Sequence, residues 1–73
     1  MRRQIHIVLL EEGTSVWRPV QAEHLGNDLF RILGIVPPGE AWQFQPGEVV
    51  RCIEQRLSGV QCLVAIARGA AVA

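Results

Sequence analysis

The sequence has no tyrosine, no lysine, only two cysteines and only two histidines. Its seven basic residues are all arginine (Arg2, Arg3, Arg18, Arg31, Arg51, Arg56, Arg68), and seven acidic residues cancel them. Zero formal charge, with the arginines spread along the chain, leaves no electrostatic footprint for nucleic acid or an anionic membrane surface. Nucleic acid is therefore not expected as a partner. No stretch approaches the roughly 18 apolar residues of a membrane-spanning helix. Arg2-Arg3 before Ile5 to Leu10 has the outline of a secretion signal. That stretch is short, is interrupted by His6, and ends at Glu11-Glu12 without a small-residue cleavage site. A cytoplasmic protein without a membrane association is expected.

Motifs that carry chemistry are missing too. His6, His24, Cys52 and Cys62 show neither C-x-x-C nor H-x-x-x-H spacing, so no metal is expected. Cys52 or Cys62 with His24 matches a nucleophile and base only in composition, and Ser15 and Ser58 fall in turns. Glu11-Glu12 with Glu23 or Asp28 reads as solvated turn carboxylates. The glycines at 26, 34, 39, 47, 59 and 69 fit neither G-x-G-x-x-G nor G-x-x-x-x-G-K-[ST]. No catalytic residue and no cofactor is expected, and the chain does not read as an enzyme.

What the chain does have is apolar content, 49% of 73 residues, mostly aliphatic. That is too much for a disordered segment and too short a chain for two domains, so one thin core is expected. Cores of this size rarely supply more than about 3–5 kcal/mol, and small proteins commonly add a disulfide, a metal or a partner subunit.

Turn signals recur every eight to a dozen residues, the rhythm of a small sandwich or barrel. They are Glu12-Gly13-Thr14-Ser15, Gly26-Asn27-Asp28, Gly34 to Gly39, Pro46-Gly47 and Ser58-Gly59. Between them six short strands fit, at 4–10, 16–25, 29–33, 41–44, 49–57 and 61–67. Ile5, Ile7 and Leu9 make one apolar face of the first. In the second, Val16, Val20 and Ala22 share a face and Trp17 falls beside Gln21 and Glu23. Pro19 cannot donate to a ladder, which confines that stretch to an edge or a bulge, and a bulge would turn Trp17 inward. Residues 48–56 also match a helical stripe through Val49, Val50, Ile53 and Leu57, although Val-Val and Cys-Ile favour a strand.

A two-residue Ser58-Gly59 loop pairs Leu57 with Val60, Ile53 with Val64 and Arg51 with Ile66. Val49, Ile53, Leu57, Val60, Cys62, Val64 and Ile66 then form one face, a plausible core. The other face carries Val50, Cys52, Leu63, Ala65 and Ala67, more apolar surface than one thin core uses, which invites dimerisation. Cys52 opposes Ala65 and Cys62 opposes Gln55, on opposite faces, so free, mostly buried thiols are expected. Residues 1–68 form the domain, with 69–73 a disordered tail.

The runs Val16-Trp17-Arg18-Pro19-Val20-Gln21-Ala22-Glu23, Phe30-Arg31-Ile32-Leu33-Gly34 and Trp42-Gln43-Phe44-Gln45-Pro46-Gly47-Glu48-Val49-Val50-Arg51-Cys52 resemble a family of short uncharacterised bacterial proteins. The resemblance spans roughly residues 5 to 67. It implies a small SH3-like barrel of five or six short antiparallel strands, and no activity, ligand or site residue.

The residues with binding character are Trp17, Arg18 and Trp42, since an exposed Trp beside an Arg has the composition of a contact hot spot. Both tryptophans read equally as the largest pieces of a small core. The expected function is a non-enzymatic protein or peptide interaction module. A nucleic-acid or ribosome-associated barrel and a self-associating structural protein, a homodimer, are the alternatives.

Overall fold

The computed structural model describes residues 1–10 and 16–69. Five strands follow one another: β1 (Arg2–Leu9), β2 (Val16–Gly26), β3 (Leu29–Ile32), β4 (Val49–Leu57) and β5 (Val60–Arg68). They close into a barrel in the order β1-β2-β3-β4-β5, each antiparallel to the next in sequence. An odd number of strands wound up and down leaves the first and last running the same way. Closure between β1 and β5 is accordingly parallel, and among the described residues it rests on a single bridge, His6 with Val64. Two of the expected turns bear on this description differently. Glu12-Gly13-Thr14-Ser15 lies outside the described residues, whereas Ser58-Gly59 is the expected two-residue loop. Ser58 and Gly59 both adopt positive φ, 50° and 82°. Such a turn twists with its strands, and glycine takes that conformation without a Cβ clash.

The all-β, five-strand expectation is met and the six-strand and helical readings fall. Residues 49–57 are strand β4, not helix. Residues 41–44 make one isolated bridge, Leu9 with Trp42, rather than a strand. Their backbone is tied to β1 by Leu10 N–H to Ala41 C=O at 2.6 Å and Gln43 N–H to Val8 C=O at 3.0 Å. The connection from Leu33 to Glu48 thus folds across one end of the barrel and drops Trp42 and Phe44 into it, where both are buried.

The core follows the period-two pattern. Ile5, Ile7 and Leu9 of β1 point inward with Val20 and Ala22 of β2, Phe30 and Ile32 of β3, Val50 and Cys52 of β4, and Ala65 of β5. Burying one such aliphatic side chain stabilises by about 1.5–3 kcal/mol. No helix among the described residues is long and apolar enough to cross a membrane.

Pro19 meets the edge half of the edge-or-bulge expectation, although β2 is an interior strand of the barrel, and the β1–β2 register runs unbroken past it. It faces His6, and a residue without an N–H fits only the non-hydrogen-bonded kind of antiparallel pair. Its ring nitrogen therefore points toward β3, whose pairing with β2 reaches only to Ala22. Locally that side is an edge. With no bulge, Trp17 stays on the outer face opposite Val8.

The β4–β5 pairing is the expected one from the turn to Cys52, with Ile53 opposite Val64 and Cys52 opposite Ala65. Beyond it a bulge skips Ile66, so Arg51 faces Ala67 instead. The face expected to form the core is, except at the fully buried Val64, the more exposed one. Val50, Cys52 and Ala65 are buried, whereas Ile53, Val60 and Ile66 are 43%, 62% and 46% exposed. Both faces are apolar near the barrel, so hydrophobicity alone does not select one. Gly69, expected in the tail, instead donates its N–H to Val49 C=O at 2.8 Å; residues 70–73 lie outside the described residues.

Candidate functional site

Adjacent residues of a strand face opposite ways, and this separates the three residues singled out by composition. Trp42 is 4% exposed and belongs to the core. Arg18, opposite the inward-facing Ile7, lies on the inner side of β2. Trp17 lies on the outer side. No single groove holds all three.

Arg18 and Trp42 meet instead through Glu40, which sequence reasoning passed over. Glu40 Oε1 accepts the indole N–H of Trp42 at 2.9 Å and the Arg18 Nε–H at 3.1 Å, while its other oxygen takes the Arg18 terminal nitrogen. The indole donor first, and the guanidinium second, hold the Glu40 carboxyl below the ordinary carboxylate range. This is a clamp on the Leu33–Glu48 connection, pinning it to β2. A matching one sits at the other end of that connection. There the Gln45 backbone N–H and then Arg68 hold Glu48 low. Arg68 also lies over the Phe44 ring at 5.5 Å.

The sign of the acid response follows. A carboxylate whose folded-state pKa is depressed stabilises the fold above its unfolded value, and that contribution disappears as pH falls through the folded value. Glu40→Gln is expected to melt below the wild type at neutral pH, with the gap closing from about pH 5 downward. A gap that stays constant to pH 3, measured by thermal circular dichroism, would remove Glu40 from the clamp.

The outer surface holds the concave feature. Leu57, Ser58, Val60 and Cys62 of the β4–β5 hairpin, with Gln4, His6, Trp17 and Pro19 of β1 and β2, line a groove of about 500 Å³. A second hollow of about 330 Å³ shares Gln4, His6, Val60 and Cys62 and runs on toward Arg3, Glu54 and Leu63. The two adjoin because, among the described residues, β5 pairs with β1 only at Val64, so the hairpin diverges from the barrel beyond that point. Val64 is fully buried next to His6. His6 Nδ1 is shielded there without a hydrogen-bond partner.

The hairpin's outward positions from Ile53 to Ile66 are Ile53, Gln55, Leu57, Val60, Cys62, Val64 and Ile66, with no charge among them. Its charged residues, Glu54 and Arg56, are on the opposite side. A strand pair patterned this way normally buries the uncharged face; here Ile53, Val60 and Ile66 of that face are exposed while Val64 is fully buried.

The thiols divide as expected. Both are free. Cys52 lies in the core, where burial, reinforced by Asp28, pushes its pKa up to about 11. Such a thiol is inert near neutral pH. Cys62 is half-buried in the groove. His24 stacks on Phe30 with ring centroids 4.5 Å apart, and its Nε2 lies 2.7 Å from the Asn27 carbonyl. No group of three or more metal-ligating side chains occurs among the described residues. The groove lining is mixed, with Trp17, Pro19, Leu57 and Val60 beside the polar Gln4, His6 and Ser58 and the Cys62 thiol. Compared with known proteins, the chain matches no family model, no curated protein and no solved structure.

Proposed function

We propose that this chain is a non-enzymatic protein-interaction module whose contact surface is the outer groove between the β4–β5 hairpin and Trp17 and Pro19. The observation that carries the reading is the uncharged hairpin face, with Ile53, Val60 and Ile66 all about half exposed or more. Apolar area left in contact with water costs about 25 cal/mol per Å² relative to burial, and contiguous patches of this kind mark contact surfaces. Trp17 adds the large rigid ring that dominates many interfaces. Protein is favoured over nucleic acid because Arg18, Arg31, Arg51 and Arg68 are each held by a carboxylate within the chain. A groove for single strands combines aromatics with a run of free cations, and this groove has Arg3 alone at its margin.

A photo-crosslinking amino acid placed at Val60 in the protein's own cells is expected to give covalent protein adducts, whereas the same group at Arg31 on β3 gives none. Equal yields from the two positions, or none from Val60, would remove the groove as a contact surface.

A further inference from the structure

A hollow over the face of a sheet is lined by alternate residues of its strands, because neighbours point to opposite sides. The hollow of about 330 Å³ is lined instead by four consecutive residues of β5, Val60, Gln61, Cys62 and Leu63, and by the neighbours Arg3 and Gln4 of β1, with His6 and Glu54. It therefore lies against the edge of β5, where a strand presents main chain rather than one set of side chains. We propose that this edge takes an extended peptide segment of another protein, added as a strand antiparallel to β5 along residues 60–63, antiparallel pairing being the more stable per residue. This rests on the reading of the groove as a contact surface and deepens it by naming what the partner presents there.

Three observations specify a strand. The first is the direction of the main-chain groups. Leu57 and Val60 flank the two-residue loop and close it as a hydrogen-bonded pair. Bonded and non-bonded pairs alternate along an antiparallel ladder, and the register is unbroken from there to Cys52 and Ala65. Gln61 and Leu63 fall in the non-bonded pairs, so their N–H and C=O groups point away from β4 and toward the hollow. Among the described residues the β1–β5 bridge lies beyond this stretch, at Val64. The second is the composition of the edge. Natural edges commonly carry charges or proline that discourage pairing. Residues 60–64 of β5 have no charge, no proline and no glycine. By contrast β4, whose pairing with β3 stops at Arg51, carries Glu54 and Arg56 along its own free length. The third is room for side chains. The groove of about 500 Å³ beside Trp17, Pro19 and Leu57 shares Val60 and Cys62 with the hollow, so alternate residues of an added strand enter it. Strand addition draws affinity from the main chain and specificity from such pockets for alternate side chains.

Panning a phage-displayed library of randomised peptides of about seven residues on the purified full chain tests this. Peptides with apolar residues at alternate positions are expected to be enriched. Gln61→Pro removes the outward N–H and no bond to β4, and proline is tolerated at such edge positions. It is expected to fold as the wild type does and to bind a synthetic copy of the enriched peptide more than about 10-fold more weakly, the effect of a carbonyl left without its donor. Gln61→Ala keeps the N–H and is expected to change the affinity by less than about 3-fold. N-methylation of alternate amides of the synthetic peptide makes the same test on the wild type: one alternate set is expected to abolish binding and the other to spare it. No enriched peptide, equal binding by wild type and a folded Gln61→Pro, or equal effects of the two N-methylated sets overturns the proposal. No enrichment together with a wild type that sediments as a dimer, and a Gln61→Pro variant that does not, would give the edge to a second copy and likewise overturn the peptide. Any of these results with covalent adducts from position 60 in cells would remove the added strand and leave the contact surface standing. The same results with no such adducts would remove both.

Discussion

Trp42→Ala is expected to abolish the cooperative fold at 25 °C, with far-UV circular dichroism losing its β signal and urea producing no sigmoidal transition. Trp42 is 4% exposed and fills the barrel end that the Leu33–Glu48 connection covers. Truncating a buried Trp costs about 3–5 kcal/mol, which equals what a core of this size supplies in total. The substitution also removes the donor that holds Glu40 most strongly, so the clamp on Arg18 loosens at the same step. Trp42→Phe keeps most of the volume but not the indole N–H, and is expected to fold with a lowered midpoint. A cooperative urea transition for Trp42→Ala near the wild-type midpoint would show that the connection is not part of the core.

The fold was legible wherever a strand has one apolar and one mixed face. β1 gave up its inward set, Ile5, Ile7 and Leu9, because His6 on the other face broke the ambiguity. The β4–β5 register was legible because Ser58-Gly59 permits few loop geometries. Which face of that hairpin is inside was not. Val50, Cys52, Leu63 and Ala65 compete with Ile53, Leu57, Val60 and Val64 on nearly equal terms. The deciding signal was the position of the charges, Glu54 and Arg56, which share parity with the core residues but lie past the point where the hairpin leaves the barrel. Counting apolar residues along the whole hairpin averaged over two environments.

The site was legible only in part for a related reason. Trp17 and Arg18 are neighbours in sequence and look like one contact unit, but in a regular strand they must part, and the β1–β2 register is unbroken from Val16 to Glu23. Arg18 found its partner 22 residues away in Glu40, a distance over which no periodicity runs. A search pairing each inward-facing arginine with carboxylates in the following connection would have nominated Glu40. The exposed apolar side chains of the hairpin lie on the face of Ile53 and Val60 rather than on that of Val50 and Cys52, which the core takes up.

Ile53 and Val64 state the same point as a pair of opposite expected results. They face each other directly across β4 and β5 and so share one side of the sheet. Val64 is nonetheless fully buried while Ile53 is 43% exposed, because Val64 stands where β5 meets β1 and Ile53 lies one strand further out. Val64→Lys would put an ammonium without a carboxylate beside His6, at the one bridge that closes the barrel among the described residues. An uncompensated buried charge costs about 3–5 kcal/mol, so this variant is expected to be unfolded or open along the β1–β5 seam, with rapid amide exchange in β5. Ile53→Asp meets water, and in dilute solution below micromolar concentration it is expected to change stability by less than about 1 kcal/mol. Similar losses for the two would mean that the outward face of the hairpin is covered within the monomer, and the groove would then be part of the core rather than a contact surface.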